Sequence, residues 1–308
     1  MENNYFVLPF TWGIYFLLAF LLFKYGKWLY KLPRIEKLKV VKGFFSIKTL
    51  AAVKETVLES LIHRKIFKVN PVLGYMHMSL AFGWFLLILV GQFEASYYTG
   101  TSSHPIYMPI FLRYFYQDVE SYQLTGLYGI VMDSLLLLIL SGVLLAYIKR
   151  FNSRILGMKK TTRLKMGDKF AMSSLWLIFP LRFLAESITA GIYQNGSFLT
   201  NPTGKFLSHF PLLLNFEYAS WFLYSFSLGI FFVALPFSRY MHIPTEVLLI
   251  FLRKYGIYTK NEFTVISDVE VHSCSRCGVC IDPCQLNAVI KPTESCSVYF
   301  MQAFEIKK

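Results

Sequence analysis

Four cysteines near the end of the chain have the type and spacing for redox chemistry. Cys274, Cys277, Cys280 and Cys284 stand in the run CSRCGVCIDPC, and the 308-residue chain holds five cysteines in all. Thiolates spaced C-x2-C-x2-C-x3-C close around one iron–sulfide cube, so the run predicts a [4Fe–4S] cluster. A zinc site separates two C-x2-C pairs by a longer loop, for which this run has no room. A disulfide framework suits small secreted domains, and this chain is not one. In two-cluster proteins the fourth cysteine of such a run serves the other cluster. The second run that would complete the exchange is missing, and Cys296 is the one spare thiol. The fourth ligand is therefore Cys284 or Cys296, or a partner chain supplies the rest, or the sequence is a truncation of a longer two-cluster protein.

Two histidines form a second constellation. His77 lies nine residues past Lys68, and His242 lies eleven residues before Arg253. At 1.5 Å per residue both sit about 15 Å from the flanking cations, on hydrophobic stretches that run in opposite directions. Imidazoles at one level on two helices can clamp a b-type haem from both sides. Histidines that only hydrogen-bond across helices are the alternative. Arg239, one turn from His242, is a candidate partner for a haem propionate, or a side chain that snorkels to the surface. Gly74 and Gly83 flank His77; they leave space for a porphyrin or serve close helix packing. His63, His104, His209 and His272 fall in loops or at interfaces, where solvent contact is the expectation.

These residues need long apolar elements to position them. The chain is 55% hydrophobic, with a mean hydropathy of +0.46. Runs of few charges occur at 5–23, 71–93, 124–148, 170–190 and 216–243, each near the roughly 20 residues that cross a bilayer. The expected fold is an all-α membrane protein, a five-helix transmembrane bundle over 1–255, with a small C-terminal ferredoxin-like iron–sulfur module over 256–308. The first run has no basic start and no small-residue cleavage site, so it reads as an anchor and not a signal peptide.

The net charge of +13 is a topology signal and not a footprint for nucleic acid. Of 31 Lys and Arg, twelve lie between Lys24 and Lys68, eight between Lys149 and Lys169, and seven between Arg253 and Lys308. The other two loops hold one each, Arg113 and Lys205. By the positive-inside rule the N-terminus lies outside and the C-terminus in the cytoplasm of a bacterial inner membrane, where thiolates stay reduced. Residues 46–63 carry Leu50, Val53, Val57 and Leu61 at helical spacing opposite Lys48, Lys54, Glu55 and Glu59. They predict an amphipathic helix that lies on the inner membrane surface or docks on a partner subunit. Within the spans, Asp133 and the i,i+4 pair Arg182 and Glu186 are candidates for quinone or proton chemistry; a plain structural ion pair is the other reading of Arg182 and Glu186.

The stretches HRKIFKVNPVLGYMH and LPFSRYMHIPTEVLLIFLRKYG, together with the cysteine run, resemble the five-helix membrane cytochromes b of the nitrate reductase gamma type. The likeness is closer to variants fused to ferredoxin domains, the heterodisulfide-reductase-like and DsrM/QmoC-like quinone-linked subunits. The resemblance implies haem b, menaquinone and a soluble redox partner. In dihaem relatives a second ligand lies about three turns deeper in the second helix and another near the outer end of the fifth. The matching positions here are Leu87 and Tyr224, so one haem is expected, on His77 and His242.

No strand-linked G-x-G-x-x-G, Walker loop or nucleophile elbow is present. The expected function is that of a quinone-reactive subunit of a respiratory oxidoreductase. It would pass electrons between a cytoplasmic iron–sulfur or flavoprotein dehydrogenase partner, the cluster, the haem and menaquinone. A membrane redox sensor, or an iron–sulfur assembly or anchor protein, is the alternative.

Overall fold

A computed structural model describes residues 5–117, 125–151, 165–258 and 265–273. All secondary structure among the described residues is helical. The elements are α1 (Leu8–Lys31), α2 (Arg34–Phe44), α3 (Ile47–Thr56), α4 (Arg64–Val69), α5 (Pro71–Thr99), α6 (Met108–Phe115), α7 (Thr125–Phe151), α8 (Met166–Tyr193), α9 (Thr200–Ser208), α10 (Pro211–Leu214), α11 (Glu217–Ala234), α12 (His242–Lys254) and α13 (Val265–His272). Five stretches are long and apolar enough to cross a membrane: Tyr5–Lys31, Pro71–Thr99, Gly126–Phe151, Met166–Tyr193 and Glu217–Phe237. The ferredoxin-like module, with Cys274, Cys277, Cys280, Cys284 and Cys296, lies outside the described residues.

The long helices pack in a chain of neighbours: α5 on α7, α7 on α8, α8 on α11, and α11 on α1. One continuous core joins them, with Leu87, Leu136, Ile139, Ile178, Phe179, Trp221, Leu228 and Phe231 at its centre. Small residues set the closest approaches. A Cβ on Gly13 would lie 2.8 Å from the Gly229 Cα, and one on Gly229 would lie 2.5 Å from the Pro9 carbonyl oxygen. Only glycine lets two helix backbones touch in this way.

Of the shorter helices, α6, α9 and α10 lie at one end of the bundle, and α2, α3, α4, α12 and α13 at the other, the end rich in Lys and Arg, here the basic end. There α12 packs on α3 and α13. A second core of Trp28, Leu32, Leu249, Leu252, Ile257, Ile266 and Val269 ties α1 to α12 and α13. The Trp28 indole N–H donates to Asp268 at 2.7 Å, which anchors α13.

Two boundaries differ from the sequence expectation. The fifth hydrophobic run does not continue as one helix to residue 243. Its α-helix ends at Ala234, a 3-10 turn covers Leu235–Phe237, Ser238 is extended, and a second 3-10 turn, Arg239–Met241, leads into α12 at His242. Pro236 lacks the N–H that would continue the ladder, and the Ser238 hydroxyl accepts the Tyr240 N–H instead. The amphipathic stretch 46–63 is also broken. Regular helix ends at Thr56, a π-helical turn occupies Val57–Leu61, and His63 closes it in the left-handed region at φ 58° and ψ 41°.

Candidate functional site

At the basic end, α5 opens on a well-formed cap. Asn70 accepts the Leu73 N–H through its side chain at 3.0 Å, and Pro71 holds the first turn. Two turns on stands His77. Its Nδ1–H donates to the Leu73 carbonyl at 2.8 Å. His242 does the same to the Arg239 carbonyl at 2.6 Å. A carbonyl only accepts, so Nδ1 carries the proton in both rings and Nε2 keeps its lone pair. That is how ligating histidines are oriented in metal sites. His63, Lys149 and His242 lie within electrostatic reach of His77, so both predicted imidazoles belong to the same end of the bundle.

A third imidazole joins them. The His63 and His77 ring centroids are 5.5 Å apart, with the planes at 47°. His63 was expected to meet solvent; the π-helical turn and its left-handed residue fold it inward, and it is half-buried. It too donates Nδ1–H to a carbonyl, that of Leu61, at 3.1 Å. Burial pushes the His63 and His242 pKa values down from the ordinary imidazole value, which keeps both rings neutral near pH 7. Among the described residues no three His, Cys, Asp or Glu side chains gather closely enough to hold one bare ion.

Other groups frame the imidazoles. Asp168, in the first turn of α8, accepts the Lys165 N–H at 3.2 Å and the Arg239 N–H at 2.7 Å. It therefore pins the turn that precedes His242. Arg239 Nε lies 3.8 Å from Asp168, too far for a hydrogen bond, and is a buried donor with no acceptor. Glu246, one turn past His242, has its carboxyl pKa pushed up to about 7, by burial first and then by Glu59 against the pull of Lys65 and Arg253. The glycines beside His77 are not open to a porphyrin. A Cβ on Gly74 would meet Phe67 at 2.6 Å, and one on Gly83 would meet Ile139 at 2.7 Å. Both serve helix packing.

The remaining predicted site residues lie in the other half of the bundle. Along α8, Arg182 and Glu186 stand 16 and 20 positions past Met166, roughly 24–30 Å from the basic end. They form a buried pair at 2.8 Å, and Tyr224 bonds to Arg182. The buried Glu94 and the half-buried Arg113 form a second pair at 2.9 Å. Arg113 also donates to the Asn195 carbonyl. Asp133 accepts the Leu199 and Thr200 N–H groups at 2.8 and 3.0 Å and the Thr200 hydroxyl, so it anchors the start of α9. Arg113, Asp133, Glu186 and Thr200 line a cavity of about 10 Å³, room for about one water. Leu87 and Tyr224 are packed core: both are buried, and Tyr224 meets Phe111 at 5.6 Å.

Sequence reasoning missed His63, Glu94, Asp168 and Glu246. Glu94 had a signal, being the one carboxylate within its span and matched by the lone cation Arg113 of the following loop. The other three depend on turns that periodicity does not reveal. A larger groove of about 670 Å³ runs between α1, α8 and α11, lined by Trp12, Phe16, Phe170, Phe226 and Phe237. These rings are exposed on the outside of the bundle.

No family model, no curated protein and no solved structure matches this chain.

Proposed function

We propose that this chain is the quinone-reactive membrane subunit of an oxidoreductase, carrying electrons between a cytoplasmic dehydrogenase partner, a [4Fe–4S] cluster, a haem b and menaquinone. The observation that carries the reading is the pair His77 and His242, on separate helices at the basic end, each with Nδ1 tied to backbone and Nε2 left as a free base. The Arg239 Nε near His242, buried without a hydrogen-bond acceptor and 3.8 Å from Asp168, suits an anionic acceptor such as a propionate. A haem held there supplies one-electron chemistry at its iron. The protein's part is to fix the two rings through their Nδ1–H bonds and to set Arg239 near His242 through Asp168.

Cys274, Cys277, Cys280 and Cys284, with Cys296 as the alternative fourth ligand, would hold the cluster. They follow α13 directly, and α13 packs on α12, the helix that His242 opens. The short sequence between His242 and Cys274 supports a direct passage from haem to cluster. The charge distribution supports an N-terminus outside the bacterial inner membrane and a cytoplasmic cluster segment. The apolar groove that ends at Phe237, five residues before His242, suits the isoprenoid tail of menaquinone.

The test is spectroscopic and analytical. Membranes holding the chain are expected to show a reduced b-type haem spectrum that His242→Ala abolishes, and purified protein to carry about four iron atoms per cluster beyond the haem iron. An unchanged spectrum in the variant, or zinc in place of iron, refutes the reading.

A further inference from the structure

Three imidazoles lie within electrostatic reach of one another at the basic end, where a bis-histidine iron uses two. His63, His77 and His242 place Nδ1–H on a local carbonyl, as the other three histidines do, and leave Nε2 free. His63 reaches this position by an unusual local path. The π-helical turn Val57–Leu61 inserts an extra residue into the helix, and His63 then takes a left-handed conformation that non-glycine residues seldom adopt. Gln194 is the one other non-glycine described residue with a positive φ. Strained backbone of this kind persists only where the surroundings hold it and clusters at working sites. Here it places the His63 ring against the His77 ring and the Nδ1–H on Leu61, when a regular turn would have carried the side chain elsewhere.

We propose that His63 is a reserve axial ligand, an imidazole that takes the place of His77 on the iron opposite His242. The inference rests on the haem reading above. No three side chains here form a cage for one ion, so His63 substitutes for His77 and does not bind beside it. The exchange breaks the bond from iron to His77 Nε2 and forms one to His63 Nε2. Both ligands are neutral imidazoles with the proton on Nδ1, so no proton or electron moves and the charge of the site is unchanged. The ring contact of 5.5 Å makes the required movement a side-chain rotation with a small shift of the turn, and the π-helical segment is the part of this region least committed to regular helical hydrogen bonds.

The experiment uses the full chain purified from membranes as wild type, His77→Ala, His63→Ala and the double variant. The readout is the spin state of the ferric iron by electron paramagnetic resonance and optical absorption, before and after adding free imidazole. His77→Ala is expected to stay low-spin with a shifted signal and to ignore added imidazole. The double variant is expected to be high-spin and to turn low-spin when imidazole fills the open position. His77→Ala that is high-spin and responds to imidazole as the double variant does, or that has lost its haem, overturns the proposal. His77→Gln, which keeps the side chain's bulk, gives the same comparison if the alanine variant is not recovered. A wild-type protein without haem sinks the haem reading together with this one, whereas haem-loaded wild type with a high-spin His77→Ala sinks this one alone.

Discussion

At the scale of single residues, position and not the Nδ1 bond sets three histidines apart. All six histidines place Nδ1 on a backbone carbonyl; His77, His242 and His63 do so at the basic end of the bundle with Nε2 free, whereas the exposed His104 also spends Nε2 on the Gln92 side chain. Glu246 shows how the same region shapes an acid. Its carboxyl is raised to about 7 by burial, with Glu59 adding to the shift and Lys65 and Arg253 opposing it. A folded-state pKa above the unfolded value means that the fold holds the proton more tightly. The contribution to stability is therefore full below the ordinary carboxyl range and is lost as pH rises through about 7. The thermal midpoint of wild type in detergent is expected to fall between about pH 5 and about pH 8. Glu246→Gln, which cannot ionise, is expected to remove that part of the fall. Equal slopes in the two proteins would show that Glu246 does not titrate in this window.

Among the elements, the break between α11 and α12 matters most. Pro236 stops the helix, Ser238 restarts the chain, and Asp168 of α8 holds the turn through the Arg239 N–H at 2.7 Å. His242 is thus placed by a contact across helices and not by its own helix alone. Asp168→Ala leaves the part-buried Arg239 N–H, and the N–H of the exposed Lys165, without their acceptor, at a cost of about 1 kcal/mol. A lowered thermal midpoint, with a shifted haem signal if haem is bound, is the expected outcome; an unchanged midpoint would mean that water replaces the carboxylate. The contact of α1 with α11 offers a second test. Gly229→Val puts side-chain atoms into the Pro9 carbonyl and is expected to cost about 1–3 kcal/mol. Gly26→Ala is the control, since a Cβ there meets nothing within 4 Å. The amphipathic stretch illustrates the limit of periodicity. Leu50 and Val53 are exposed, and regular helix ends at Thr56, where a π-helical turn leads to His63.

For the whole molecule, charge divides the bundle. The basic end carries the imidazoles, and the opposite half carries the Glu94–Arg113 and Arg182–Glu186 pairs. From His77 to Glu94 along α5 is roughly 25 Å, so the two polar regions are separate. The orientation proposed from the loops has a direct check: a cysteine placed at Lys42 is expected to react with an impermeant thiol reagent only after the membrane is opened, and one at Ser102 before. The reverse order would invert the topology. Sequence alone determined the existence and near-extent of the five apolar helices, because burial of some 20 residues in hydrocarbon leaves a composition that no local packing can disguise. It also singled out His77, His242, Arg182 and Glu186, since polar groups stand out in apolar runs. Tertiary structure alone decided that His63 joins His77, that Arg113 pairs with Glu94, that Asp133 anchors α9 and that Asp168 steers the approach to His242. Each of these depends on a turn or on a contact between residues far apart in the chain, and such contacts follow from how helices pack and end, which the apolar pattern of any one segment does not encode.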